Sequence, residues 1–560
     1  MKKIVCLFCL SLFCIGAIAQ QAYNVRTPFD PATVKVEEKD RGEVIKFAIN
    51  DSKFYPGTER EILVYVPQQY RSKKPACLLV CMDGILYDAT TVMDNLIASG
   101  EMPVTIGVFV NPGIVYDEDR EVVRYNRCKE FDSTDDTFVR FLEEEVLPLV
   151  EQQKTESGKS ISLSKDANDR AITGASSGGI AAFTAAWNRP DLYSRVYTTV
   201  GTFVAMRGGH EYPAIIRKTE PKPLRIYLQD GWYDVWNPIF GEWFEYNFLM
   251  ESALNFAGYE AFHKWDRGNH NIKYGTLAFP DAMRWLWKGY PAKVQKGVSN
   301  NGMLQEIVLE DNDWQEIELS MAVESDLFAI ADNGVVFASG NKVYKVSPDE
   351  GKYKVVRHAN LKANEVLIGG ELTMRDATLY REGKAVLDSL YDVQAICALP
   401  NDKYLVLGGE NTIPMPNVMI VKAGCRSLAI SPDGRFCVTG EENSHHLIST
   451  IISHQGKMLY SEPFYYLHEL SNTTKQVAGN MAFDTKGNLY VATAMGVQVA
   501  DHNGRVRAIL SLPAGGVTSL AFSGKYLYVL CGDRMFVRKM NAEGHLPSTG
   551  KVNYKSQGQG

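Results

Sequence analysis

Ser176 stands in Thr173-Gly174-Ala175-Ser176-Ser177-Gly178-Gly179, a Gly-x-Ser-x-Gly spacing. A serine hydroxyl attacks a carbonyl only when a base removes its proton. The flanking glycines permit a sharp strand-to-helix turn that lifts the hydroxyl clear of a sheet, and the next residue lends a backbone N–H to the developing oxyanion. At glycine and serine frequencies of ~7%, three fixed positions recur by chance about 0.2 times in a chain of this length. The motif therefore gains weight only from its context. An apolar segment precedes it (Ala171–Thr173) and an Ala-rich segment follows (Gly178–Trp187), which reads as strand, turn and helix.

The base for such a serine is a histidine further along the chain. His210, His263 and His270 are the candidates before residue 290. His270 lies in the loop Arg267-Gly268-Asn269-His270-Asn271, after the strand-like Ala261–Trp265, and is preferred. His263 falls inside that strand and reads as structural. His210 precedes the acid and suits a pocket wall. The acid, which fixes the imidazole tautomer, belongs after the strand Leu224–Leu228. Asp230 and Asp234 both qualify. Asp234 is favoured because a turn at Gly231 aims it toward the histidine loop, while Asp230 caps the turn. The oxyanion donors are expected to be the backbone N–H groups of Ile85, in the loop after Ala76–Met82, and of Ser177. Trp232, Tyr233, Trp236 and Trp243 crowd the acid. Trp232 and Trp236 are the candidates for stacking on a sugar or phenolic ring.

These groups need a scaffold. Ala76–Met82 and Val104–Val110 are continuous apolar runs, as buried parallel strands are. Glu43–Pro67 reads as strands around Tyr55-Pro56-Gly57. Asp135–Glu151 has helical spacing, Val196–Val200 and Leu224–Leu228 are further strands, and Pro280–Trp287 opens a closing helix. Alternation of strand and helix predicts a mostly parallel, doubly wound sheet of the α/β-hydrolase kind over residues 20–290.

Residues 306–545 differ. A turn followed by an alternating strand recurs at 331–339, 375–383, 400–408, 431–440, 484–493 and 522–530. From Asn333 to Gly524 the turns average about 38 residues apart, close to the ~40–45 of some propeller repeats. A six-bladed β-propeller is expected, joined by a linker at 291–305 and followed by a disordered tail at 546–560.

The chain has 560 residues, too many for one core. A net charge of −7 and the lack of a basic run argue against a nucleic-acid partner. Residues 1–19 read as a secretory signal peptide: Lys2 and Lys3, an apolar stretch from Ile4 to Ile15, then Ala17-Ile18-Ala19 before the cut. A secreted or periplasmic protein follows. The apolar stretch is short for a bilayer span, which needs ~20 residues. Cys14 lacks the small preceding residue that a lipoprotein site wants. Outside this leader seven cysteines are scattered, which suggests neither a disulfide framework nor a zinc site.

The stretches FYPGTEREILVYVP, CMDGILY, NRCKEFDSTDDTFVRFLEEEVLP, GASSGG, LQDGWYD and AGYEAFHKWDRGNHNIKYGTLAFPDAMRWLW resemble the esterases of the enterochelin esterase and feruloyl/acetylxylan esterase group, carbohydrate esterase family 1. The resemblance implies a serine esterase with Ser176 as nucleophile, Asp234 as acid and His270 as base. It implies a feruloyl or acetyl ester on a plant polysaccharide as substrate. That family often has small or polar residues where Trp232 and Tyr233 stand. LYVATAMGVQVADHNGRVRAIL and LYVLCGDRMFVRKM resemble senescence-marker-protein/gluconolactonase propellers, which bind a divalent metal through Glu, Asn and Asp. Glu324 matches the Glu, but Arg426 and Gly479 stand at the other two positions. No metal or other cofactor is therefore expected. The competing functions are a metal-dependent lactonase on the propeller and a carbohydrate-binding protein with an inactive esterase fold.

Overall fold

Strands buried on both faces are rich in apolar residues, and Cys77–Met82 (β3), Thr105–Val110 (β4), Arg170–Ala175 (β5) and Arg195–Thr199 (β6) are buried at every position. With Glu43–Ile49 (β1), Arg60–Val66 (β2), Arg225–Gly231 (β7) and Glu260–Asp266 (β8) they form one eight-stranded sheet in the order β1-β2-β4-β3-β5-β6-β7-β8. The pairs β1·β2 and β2·β4 are antiparallel and the other five are parallel. The sheet is thus mixed, with its parallel part carrying the segments singled out for chemistry. The computed structural model describes residues 30–547, apart from 310–311, 332, 350–351, 409–410, 413–414, 422–424, 442–443, 470–477 and 514. The expected signal peptide at 1–19 and most of the expected disordered tail at 546–560 lie outside the described residues.

The chain forms two compact units. The first holds residues up to Pro213, Lys222–Asn255 and Tyr259–Gly297; the second holds Ala214–Pro221, Phe256–Gly258 and the chain from Val298. In the first, helices Ala89–Ala98 (α1) and Lys273–Trp287 (α4) bury Met93, Leu96, Phe279 and Met283 against Leu79, Phe109 and Tyr197 of the sheet. Helix Ser177–Asn188 (α2) leaves the end of β5 and is buried along its length except at Asn188. Helix Trp243–Phe256 (α3), which no sequence signal marked, follows the loop that carries Asp234. The closing helix begins at Lys273, not at Pro280, and Pro280 lies inside it.

The second unit contains six sheets among the described residues, the six blades of a propeller. Five have four strands; the sheet of Val393–Leu399, Lys403–Gly408 and Val418–Val421 has three, its last pair parallel. The blade built from Ser519–Ser523, Tyr526–Cys531 and Arg534–Lys539 is completed by Gln315–Ile317, so the ends of the propeller sequence close one blade together. Four of the six recurring turns join the first and second strands of a blade in chain order, and the turn in 522–530 joins Ser519–Ser523 to Tyr526–Cys531 in the blade that Gln315–Ile317 completes. The turn in 375–383 joins the second and third, Leu372–Arg375 and Thr378–Arg381. This offset accounts for part of the irregular spacing. The six cysteines whose side chains are described are free thiols, and Cys425's side chain is outside the described residues. No helix among the described residues is long and apolar enough to cross a membrane.

Candidate active site

Ser176 lies between β5 and α2 with φ 57° and ψ −120°. A non-glycine residue there is strained by ~1–3 kcal/mol. The backbone around it holds the strain. Ser176 N–H donates to Thr199 C=O at 2.9 Å, and Ser176 C=O accepts from the N–H groups of Gly179, Ile180 and Thr202 at 2.9, 3.2 and 3.1 Å. Gly174 has a packing reason as well: a Cβ there would overlap the backbone of Gly178 on α2.

Asp234 and His270, the expected acid and base, follow neighbouring parallel strands. After β7 the chain turns, with Asp234 N–H donating to Gly231 C=O at 3.0 Å. After β8 comes the loop that carries His270. The two loops are laced together: Trp232 N–H donates to Asp266 C=O at 2.8 Å and Tyr233 N–H to Gly268 C=O at 3.0 Å. They touch so closely that a Cβ on Gly231 would overlap the Gly268 carbonyl. His270 Nδ1 lies 2.7 Å from Asp234 Oδ1, and His270 Nε2 lies 2.8 Å from Ser176 Oγ. Asp234 Oδ1 also accepts from Val235 N–H at 2.5 Å. The Asp234 side chain is buried, while His270 keeps about a quarter of its surface open (27%), enough to face a substrate.

Two residues that sequence reasoning did not assign to the machinery extend this chain. Thr202 Oγ1 is 3.2 Å from Ser176 Oγ, and Trp243 Nε1 is 3.2 Å from Thr202 Oγ1. An indole N–H only donates. Thr202 Oγ1 therefore accepts from Trp243, its own proton goes to Ser176 Oγ, and the serine proton goes to His270 Nε2. Trp243 also meets the His270 ring edge-on, with centroids 5.6 Å apart. Trp243 had stood out only as one aromatic among four. Thr202 carried no signal, because its place depends on the turn after β6.

The loop after β3 bends at Asp83 and Gly84, both at positive φ (64° and 79°), and Ile85 follows with its side chain partly exposed. Arg127 ties this loop down. Its Nε and Nη2 donate to the two carboxylate oxygens of Asp83, each at 2.7 Å, and Nη2 also reaches Ala175 C=O at 3.2 Å. One guanidinium thus spans the Ile85 loop and the residue before Ser176; nothing in its sequence spacing marked it. Ser177 opens α2, where the first N–H groups of a helix have no partner within it.

Trp232 stacks on Phe244 with centroids 4.9 Å apart and is half exposed; Tyr233, Trp236 and Ile239 stand well out of the surface. Trp236 belongs to a two-residue ribbon with Gly241–Glu242. His263 is on β8 with Nδ1 2.7 Å from Glu251, and His210 pairs with Glu211 at 3.1 Å. Asp230 is fully buried behind the turn, and its Oδ1 accepts from Gly231 N–H at 2.7 Å.

In the propeller, Glu324 lines a cavity of about 640 Å³, and its Oε2 accepts from Gly340 N–H at 2.9 Å. A Cβ at Gly479 would overlap Thr518 C=O. The adjacent Asn480 is engaged by Leu520 through both ends of its amide. Arg426's side chain lies outside the described residues. Among the described residues no three His, Cys, Asp or Glu side chains gather as metal ligands.

Residues 54–206 match the family model Esterase, described as "Putative esterase". The matched span holds Ser176, the Ile85 loop and Arg127. The match supports a carboxylic ester hydrolase. No curated protein matches the chain. Among solved structures, a ferulic acid esterase is 18% identical with TM-score 0.33, over 44% of this chain and 98% of that one. An enterochelin esterase from Shigella flexneri is 17% identical with TM-score 0.35, over 47% of this chain and 62% of that one. A structure titled "putative gluconolactonase" is 14% identical with TM-score 0.35, over 44% of this chain and 98% of that one. Likeness at that level carries no functional weight.

Proposed function

We propose that the chain is a secreted serine esterase that removes feruloyl or acetyl groups from plant cell-wall polysaccharide. The observation that carries this reading is the hydrogen-bonded series Ser176–His270–Asp234, at 2.8 and 2.7 Å, on a strained turn. Ser176 Oγ attacks the ester carbonyl as His270 Nε2 takes its proton. Asp234 holds the Nδ1–H tautomer and balances the imidazolium charge. The oxyanion is received by the N–H groups of Ile85 and Ser177. The sugar hydroxyl leaves with the proton from His270, and a water activated by the same nitrogen hydrolyses the acyl-enzyme. The exposed rings of Trp232 and Trp236 offer flat apolar faces to a phenolic acyl group or a sugar. The domain order is a leader at 1–19, an esterase domain at 20–290, a linker at 291–305 and a non-catalytic propeller at 306–545.

The test is turnover of methyl ferulate, acetylated xylan and a simple lactone by the full chain and by Ser176→Ala. Ester turnover should fall at least about a thousandfold in the variant. Equal ester hydrolysis by both forms would refute the reading.

A further inference from the structure

The turn that delivers Asp234 carries a second carboxyl. Asp230 is 0% exposed and Asp234 is 7% exposed. Oδ1 of each is engaged: Asp230 Oδ1 by Gly231 N–H, Asp234 Oδ1 by Val235 N–H and His270 Nδ1. Oδ2 of each is buried, and among the described residues neither meets an N–H or hydroxyl donor. A buried acceptor left unpaired is costly, and more so when charged. Both carboxyls stand on one tight turn, closed by Asp234 N–H donating to Gly231 C=O at 3.0 Å, and the Asp234 side chain acts on Asp230 through a hydrogen bond and its charge. A single proton resolves both orphans, because a protonated carboxyl becomes a donor.

The surroundings decide which carboxyl holds it. Asp234 faces His270, whose Nδ1–H requires an acceptor. Asp230 faces Asp234 and, across the strand pair, Asp266; His270 lies beyond Asp234. Asp266 is already engaged by Gly268 N–H at 2.6 Å and Gln229 Nε2 at 2.8 Å. Burial first, and then the hydrogen bond and charge of Asp234, push the Asp230 carboxyl well above the usual aspartate range.

We propose that Asp230 is a neutral carboxylic acid whose O–H donates to Oδ2 of Asp234, making it a positioning residue that fixes the acid behind His270. Its effect on turnover rests on the Ser176–His270–Asp234 reading; the location of the proton does not. With the carboxyl plane of Asp234 pinned at Oδ2, Oδ1 stays aligned with His270, and the turn carries one negative charge instead of two.

The experiment uses the full chain near pH 7. The infrared difference spectrum between the parent and Asp230→Asn should show the C=O stretch of a protonated carboxylic acid in the parent only, shifted in D2O. The same band should persist in Ser176→Ala. Asp230→Asn keeps a donor and exchanges one neutral group for another. Its kcat should stay within about threefold of the parent, and the acid limb of kcat/KM should not move. Asp230→Ala should lose about tenfold in kcat at unchanged KM, a loss that Asn repairs. A parent without the acid band, or an acid limb displaced by about one pH unit in Asp230→Asn, would overturn the proposal. The infrared band and Asp230→Asn decide the matter even where Asp230→Ala does not fold. Full ester turnover by Ser176→Ala would defeat the catalytic reading and leave the band to report on Asp230.

Discussion

Removing the hydroxyl of Thr202 isolates one link of the chain Trp243–Thr202–Ser176–His270–Asp234. Thr202→Val keeps the shape and deletes the donor to Ser176 Oγ. In the proposed mechanism that oxygen gains negative charge as its proton passes to His270, and again when it leaves the acyl-enzyme. A hydrogen bond to a charged group contributes ~1.5–3 kcal/mol. At 3.2 Å the Thr202 bond belongs at the lower end, so kcat should fall about tenfold. The same change leaves the buried Trp243 indole N–H without its acceptor, which costs ~1–3 kcal/mol of stability. Thr202→Ser retains the hydroxyl and should stay within about threefold of the parent in kcat. Steady-state kinetics on methyl ferulate, paired with thermal unfolding, separates the two effects. Parental kcat in Thr202→Val together with a lowered Tm would refute the direction assigned to the chain and reduce Thr202 to a structural role.

Two further outcomes follow from the same geometry. Gly231→Ala drives a methyl group into the Gly268 carbonyl and should part the acid loop from the histidine loop; displacement of about 1 Å predicts roughly a hundredfold loss of kcat, and parental kcat would show that the loops are not in register for catalysis. Burial keeps the proton on Asp230 in the folded chain, so between the ordinary aspartate value of 3.8 and the raised folded value the folded state binds more protons and stability falls as pH rises. Asp230→Asn removes that slope. Its Tm relative to the parent should therefore climb from pH 4 to pH 7, and a difference independent of pH would contradict the burial argument.

Much of the first unit was legible because parallel strands advertise themselves as apolar runs. Every sheet strand expected from the sequence is present, with boundaries shifted by a few residues at most. The expected closing helix, Pro280–Trp287, covers only the second half of the helix Lys273–Trp287, although proline favours a helix start over a helix interior. Pro280 forfeits one internal hydrogen bond and strains the turn before it, at a cost of ~3 kcal/mol. Ala278, Phe279, Ala282, Met283 and Leu286 are 0% exposed on the same helix, and burying each large apolar side chain contributes ~1.5–3 kcal/mol. Core packing outweighs the local preference, and the helix runs back to Lys273.

The sequence by itself determined which serine stands at a strand-to-helix turn, which histidine follows it on a loop, and which two aspartates, four residues apart, are the candidates for the acid. Chain order and local spacing suffice for these, since they depend on neighbouring residues. Only the tertiary structure decided between Asp234 and Asp230 as the partner of His270, because the choice turns on how the loops after β7 and β8 meet across paired backbones. The same holds for Thr202, Trp243 and Arg127. Their positions depend on how the turn after β6, helix α3 and the segment Arg127–Phe131 meet the end of β5, which brings Thr202 within 3.2 Å of Ser176, Trp243 within 3.2 Å of Thr202 and Arg127 within 3.2 Å of Ala175.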